Sequence, residues 1–114
     1  MTPDKWAYEV REGVSLELPG ILEFRIAGLG SYVVKSNRLS RRIAEYQDNE
    51  KRLTEGRPYA SGGSGFRQIH RLLHNSGKEG RAITVLAHEN CALADLSALK
   101  RHWIERVGTL NKPV

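Results

Sequence analysis

The chain lacks the cysteines needed for an internal disulfide and the long apolar run needed for a membrane anchor. It has 114 residues and a single cysteine, Cys91, which excludes an internal disulfide and a Cys-based zinc site. Its longest apolar run, residues 83–87, is interrupted by Thr84, so no membrane-spanning segment is predicted. The N-terminus lacks the apolar stretch of a secretory signal. We therefore expect a reducing, cytoplasmic setting and no membrane partner.

Several common catalytic motifs are absent as well. No glycine-rich phosphate loop follows a predicted strand, which argues against the nucleotide-binding folds. His70 and His74 share one predicted helical face, but no acidic third ligand accompanies them, so no metal site is favoured there. His88 and His102 have no partner that the sequence reveals. Cys91 does not belong to an arrangement typical of a thiol nucleophile.

What remains is the composition of an ordinary globular domain, with 39% hydrophobic and 27% charged residues. The length suits one hydrophobic core rather than two. We expect a single domain over residues 1–114, with a core at about 15–108, an extended arm at 1–14 and a tail at 109–114.

The net charge of +5 is concentrated in the middle of the chain. Residues 1–31 have 3 basic and 5 acidic side chains, residues 32–82 have 11 and 5, and residues 83–114 have 4 and 3. A concentrated basic surface favours polyanions such as DNA or RNA. The alternative interpretation is a solvated basic face on a protein of high isoelectric point.

The local patterns predict a hairpin followed by alternating helices and strands. Residues 21–27 alternate apolar with polar side chains, which predicts a half-buried strand with Glu23 and Arg25 on its exposed side. A glycine-containing turn at 28–30 leads to a returning strand at 32–34. The remaining elements are a helix from Ser36 or Asn37 to Gly56, a second from Ser64 to Gly77, a strand at 83–88 and a third helix at 95–107.

This order predicts an α+β fold with a small three-stranded antiparallel sheet flanked by helices. Weak alternation within residues 1–14 allows for an extra edge strand at the N-terminus.

A basic segment opens the first predicted helix. Lys35, Arg38, Arg41 and Arg42 lie within eight residues that contain no acid. Arg38, Arg42 and Tyr46 are spaced four apart, so they share one helical stripe. Backbone N–H groups at a helix N-terminus attract phosphate, and the segment is therefore a candidate phosphate-binding site. The alternative is a solvated basic turn.

Lys100 interrupts the apolar stripe of the last predicted helix. Its neighbours at helical spacing are Leu96, Leu99, Trp103 and Ile104, so periodicity predicts a buried side chain at this position. One explanation is that the aliphatic stem packs while the ammonium reaches water. The other is that the helix directs Lys100 into a polar pocket.

The ordered motifs resemble those of the GIY-YIG endonuclease family. Residues 20–22, Gly-Ile-Leu, are followed after nine residues by Tyr-Val-Val at 32–34. Arg42 lies ten positions after Tyr32, where the family has a conserved arginine, and Tyr46 follows four positions later. The likeness continues through the runs at 56–59, 66–70 and 99–104, and covers about residues 20–110.

The resemblance implies a three-stranded antiparallel sheet with flanking helices and metal-assisted phosphodiester hydrolysis. Tyr32, Arg42 and Tyr46 would be catalytic in an active member, with tyrosines activating water, the arginine binding phosphate and a helix glutamate holding Mg²⁺ or Mn²⁺. The chain departs from this pattern at Leu22, which replaces the first tyrosine, at Val34, which replaces a glycine, and at Lys100, which replaces the glutamate. An ammonium group has no lone pair for a metal.

We therefore expect a nucleic-acid-binding protein whose metal-dependent hydrolysis is lost or impaired and which needs no cofactor. The expected phosphate contacts are Lys35, Arg38, Arg41, Arg42 and Lys100, with Lys100 beside Arg42 in a metal-free cradle. One alternative is an active DNA endonuclease in which Glu89, Asp95 or Glu105 supplies the metal ligand. Another is a protein-interaction regulator that retains only the nuclease scaffold.

Overall fold

The computed structural model describes residues 6–57 and 68–111. The elements are β1 (Ala7–Val10), β2 (Gly20–Ile26), β3 (Gly30–Ser36), α1 (Leu39–Glu55), α2 (Gln68–Lys78), β4 (Ile83–Asn90), a 3₁₀ turn (Leu93–Asp95) and α3 (Leu96–Val107). The α+β class and the order of the predicted elements are confirmed. The predicted cap Ser64 and most of the loop before it lie outside the described residues.

The sheet has four strands rather than three, in the order β1-β4-β2-β3. β2 pairs antiparallel with both β3 and β4, which is the predicted antiparallel core. β1 adds to β4 in parallel, so the sheet is mixed. The predicted arm therefore forms an edge strand, anchored where the Arg11 N–H donates to the Ala87 carbonyl over 3.1 Å.

The hairpin between β2 and β3 turns where the glycines predict it. Gly28 has a φ of +82°, which a residue with a Cβ rarely adopts. The Leu29 N–H donates to the Ile26 carbonyl over 3.0 Å and closes the turn. A Cβ at Gly28 would also meet the guanidinium of Arg81. The backbone angle therefore favours glycine there, and any other residue would also have to displace the Arg81 side chain.

One face of the sheet packs against α1 and α2. Phe24 lies at its centre, stacked on Tyr46 with ring centroids 4.7 Å apart and met edge-on by Trp6 at 5.8 Å. The buried residues of this cluster are Trp6, Leu22, Phe24, Ile26, Val34, Leu39, Tyr46, Ile69, Leu73, Ile83, Val85 and Ala87. Successive strand residues point to opposite faces, so the alternation of β2 is what selects Leu22, Phe24 and Ile26 for this core.

The other face of the sheet is covered by α3. Ile21 and Val33 pack there against Trp103, with Leu99 and Ile104 partly buried around them. The sequence predicts a solvated face here, and that prediction is wrong. A second covering helix makes both faces of the central strand interior.

The prediction that Glu23 is exposed is therefore wrong, because its side chain is only 1% exposed. Its carboxylate accepts hydrogen bonds from the Ser31 hydroxyl, from His88 Nε2 at 2.6 Å and from Arg25 Nε at 3.2 Å. Burial by itself raises the pKa of a carboxyl group, but the hydrogen bonds from His88, Ser31 and Arg25 outweigh it and lower the pKa of Glu23 to about 2. Glu23 is therefore ionised inside the fold.

Residues 109–111 are not a loose tail but a cover for the outer edge of β3. The Leu110 N–H donates to the Ser31 carbonyl over 2.9 Å. The Asn111 amide accepts from the Val33 N–H at 2.6 Å and donates to the Val33 carbonyl at 2.9 Å. An asparagine amide thus substitutes for a neighbouring strand and blocks edge-to-edge pairing.

Across the described ranges, no helix combines the length and the apolar character needed to cross a membrane.

We expect acid to unfold the protein partly through Glu23. Its pKa is about 2 in the fold against an ordinary 4.5, so its contribution is complete above pH 4.5 and is lost as the pH falls toward 2. Glu23→Gln should flatten that pH dependence and lower the free energy of unfolding at neutral pH by about 3 kcal/mol, because it removes one partner of a buried pair.

Urea denaturation at a series of pH values measures both effects. The control is Glu105→Gln, which removes an exposed carboxylate from α3 and should keep the wild-type profile. An unchanged acid slope in Glu23→Gln would contradict the assignment.

Candidate nucleic-acid interface

The N-cap of the basic helix α1 is Arg38 rather than Ser36 or Asn37. Arg38 is the N-cap, with an extended backbone at φ −154° and ψ 113°, and no side chain caps the helix. The Ser36 hydroxyl is instead committed to Arg38, since it accepts from the Arg38 N–H at 3.1 Å and donates to the Arg38 carbonyl at 2.6 Å. This local hydrogen bonding fixes the direction in which the helix leaves β3.

The helix N-terminus offers less to a phosphate than the sequence predicts. The Leu39 N–H donates to the Leu18 carbonyl at 3.3 Å, and the Ser40 N–H donates to the Leu16 carbonyl at 2.8 Å. Backbone carbonyls of the loop between β1 and β2 thus take two of the N–H groups that were expected to be open. Anion binding at this site must rest on side chains.

The four basic side chains have different surroundings. Arg38 forms an ion pair with Glu17 at 2.8 Å, and both side chains are more than half exposed. Lys35 donates from Nζ to the Ser97 hydroxyl at 2.7 Å, which ties the end of β3 to α3. Arg41 is exposed, and no ion pair within the described ranges involves it.

Arg42 has the most distinctive environment of the four. Its side chain is 31% exposed, and Nη1 lies 3.4 Å from the Glu45 carboxylate. Its Nε is buried and has no hydrogen-bond acceptor within the part of the chain that the structure describes. Buried donors without an acceptor are rare. Because Nε is shielded from solvent, an external phosphate can reach only the exposed part of this guanidinium.

The two tyrosines of the predicted site flank Phe24. Tyr32 pairs with Phe24 in the register of β2 and β3, and it is half-buried against the α1 side of the sheet. Tyr46 is only 2% exposed, stacked on Phe24 and met edge-on by His70 at 5.0 Å. The structure therefore brings Tyr32, Tyr46 and Arg42 to one side of the sheet, with Tyr46 packed into the core.

Lys100 lies on the other side of the sheet. It is partly buried on α3, which packs against Ile21 and Val33, whereas Arg42 is on α1 over the opposite face. The sheet thus lies between them, and a cradle that holds Lys100 directly beside Arg42 is not formed. Periodicity along α3 could not reveal this, because it gives the buried stripe of a helix and not the face of the sheet that the stripe covers.

The positions where the sequence departs from the endonuclease pattern are packed rather than open. Leu22 is fully buried and Val34 is 6% exposed, so both contribute to the core on the α1 face.

The side chains that could hold a metal do not cluster within the described ranges. No group of three or more His, Cys, Asp or Glu side chains suited to a metal occurs among residues 6–57 and 68–111. Glu89, one substitute ligand that the sequence suggests, accepts a hydrogen bond from Trp103 Nε1 at 3.1 Å. His74 bonds to Glu50 at 3.0 Å across the α1–α2 contact. The ammonium of Lys100 cannot coordinate a metal.

Sequence reasoning missed a second cluster, on the α3 face. His88 hydrogen-bonds to Glu23 and stacks on Trp103 with centroids 4.1 Å apart and planes 11° from parallel. The guanidinium groups of Arg11 and Arg106 lie over the same indole. The apolar stripe of α3 was the available signal, since a helix with such a stripe must cover some surface.

Comparisons of the chain with protein-family models, with curated proteins and with solved structures find no match.

We expect the two tyrosines to differ in their contribution to stability. Tyr46→Ala should lower the free energy of unfolding by about 3–5 kcal/mol, because it removes a buried aromatic ring. Tyr32→Ala should cost about half as much, since the ring is only half-buried. Urea denaturation monitored by circular dichroism measures both variants, and equal losses would contradict the burial of Tyr46.

Proposed function

We propose that the protein binds DNA or RNA through Arg41 and Arg42 at the start of α1, as a GIY-YIG-like protein that does not depend on metal-assisted cleavage. The observation that carries the proposal is that Arg41 is exposed and forms no ion pair within the described ranges, next to an Arg42 guanidinium that reaches solvent. A phosphate can accept hydrogen bonds from the exposed N–H groups of these side chains, and the planar guanidinium matches phosphate geometry.

The existing ion pairs of this segment do not prevent phosphate binding. Glu17 and Glu45, which pair with Arg38 and Arg42, are 60% and 50% exposed. Exposed ion pairs contribute about 0–1 kcal/mol, so a phosphate can displace them at little cost. Arg41 is exposed between the two paired arginines and is available to a second phosphate.

Two basic sets meet near the C-terminal end of β3. The Lys35 ammonium donates to the Ser97 hydroxyl of α3, and Lys100 lies one helical turn after Ser97. The arginines of α1 begin three residues after Lys35 on the other side of the sheet. A nucleic-acid backbone that crosses this end of β3 can contact Lys35 and Lys100 as well as Arg38, Arg41 and Arg42.

The same residues argue against metal-dependent hydrolysis. In the resemblance to GIY-YIG endonucleases, Leu22 and Lys100 stand where an active member has a tyrosine and a metal-binding glutamate. Leu22 is buried in the core, and the ammonium of Lys100 has no lone pair with which to hold a metal that activates water.

We expect Arg41→Gln/Arg42→Gln to weaken binding of a short labelled DNA duplex about tenfold, because two charge-assisted contacts are removed. The slope of log K against log salt should fall by about 1.8. The matched control is Lys51→Gln/Lys78→Gln, which removes the same charge from exposed positions of α1 and α2. Fluorescence anisotropy between about 50 and 200 mM salt measures both variants.

Equal effects in the two variants would contradict the α1 site. Plasmid nicking by the wild type with Mg²⁺ or Mn²⁺, abolished by Arg42→Gln, would replace the proposal with an active endonuclease. Absence of nucleic-acid affinity together with binding to an acidic protein would replace it with an interaction module.

A further inference from the structure

Two arginines from distant parts of the chain converge on one indole ring. Arg11 directly follows β1, and Arg106 lies in the last turn of α3. Their Cζ atoms are 5.4 Å and 4.9 Å from the centroid of Trp103, so the two guanidinium groups are no more than about 10 Å apart. Both side chains are exposed. Bringing two like charges together on a surface costs free energy unless an anion offsets it.

The platform beneath them is rigid. His88 stacks on Trp103 at 4.1 Å and is itself held by the buried Glu23 carboxylate at 2.6 Å. The indole N–H donates to Glu89 at 3.1 Å, which fixes the rotation of the ring. With the imidazole on one face, the other face and the edges of the indole are left for the guanidinium groups. Cation–π contacts hold arginines in place while leaving their N–H donors available.

No carboxylate in the described ranges lies within ion-pair distance of Arg11 or Arg106. The Glu89 carboxylate accepts from the indole N–H at 3.1 Å, so an acidic group borders the cluster without forming an ion pair with either arginine. His102 adds a further exposed donor, edge-on to Trp103 at 6.0 Å. The exposed guanidinium groups of Arg11 and Arg106 therefore have N–H donors that no carboxylate in the described ranges pairs with.

We propose that Arg11 and Arg106, oriented on Trp103, form a second phosphate-binding site on the α3 face of the sheet. The ligand class is the phosphate group of a nucleic-acid backbone. Trp103 is only 5% exposed, so it supports the arginines and does not stack on a base. The sheet separates this site from Arg42, so the two sites bind different phosphates. The nucleic-acid partner rests on the proposed function, whereas the affinity of the site for phosphate does not.

The first experiment tests the site without nucleic acid. Trp6 and Trp103 are the two tryptophans, so Trp6→Phe leaves Trp103 as the sole indole reporter. Inorganic pyrophosphate should change its emission in a saturable manner, and Arg11→Gln/Arg106→Gln in the same background should abolish the change. Arg11→Lys/Arg106→Lys keeps the charge but loses the planar fork, and should retain a weaker response. Circular dichroism establishes that each variant is folded.

The second experiment uses a short labelled DNA duplex. Arg11→Gln/Arg106→Gln should weaken binding about tenfold and lower the salt slope by about 1.8, whereas Lys51→Gln/Lys78→Gln should change both much less. If the wild type binds no duplex, the proposed function fails while the pyrophosphate titration still decides the site. No emission change with pyrophosphate, or equal losses of duplex affinity in the two double variants, would overturn the second site.

Discussion

The buried carboxylate of Glu23 is the interaction on which the rest of the structure depends. It lies on the central strand and binds Ser31 of β3 and His88 of β4, so one ionised group ties three strands together. His88 in turn stacks on Trp103, which connects the same network to α3. A buried charge is costly unless all of its acceptor capacity is used, and several donors meet that requirement here.

The two-sided covering of the sheet also separates the positive charges. Because α3 covers one face of the sheet and α1 covers the other, the basic residues divide into two surfaces instead of surrounding one pocket. The α1 surface contains Arg42, whose Nε lacks an acceptor among the described residues. The α3 surface contains Arg11 and Arg106 over a fixed indole. We propose that each surface contacts a phosphate.

Local patterns in the sequence predicted much of this fold correctly. Alternation located β2 and β3, glycine located their turn, and helical spacing located α1 and α3 to within a few residues. Other predictions failed because they depend on contacts between distant segments. The sequence predicts that Glu23 is solvated, but in the structure α3 covers it. The sequence also predicts open N–H groups at Leu39 and Ser40, but residues 16–18 supply carbonyls to both.

The sequence by itself determined the α+β class, the excess of positive charge and the placement of basic residues at the start of α1, because these follow from composition and short-range spacing. Only the tertiary structure decided that β1 joins the sheet in parallel, that Lys100 and Arg42 lie on opposite sides, and that Arg11 meets Arg106. The physical reason is that the spacing of apolar residues shows which face of a helix or strand is buried, but not which other element packs on that face. That choice depends on how the whole chain buries its apolar faces together.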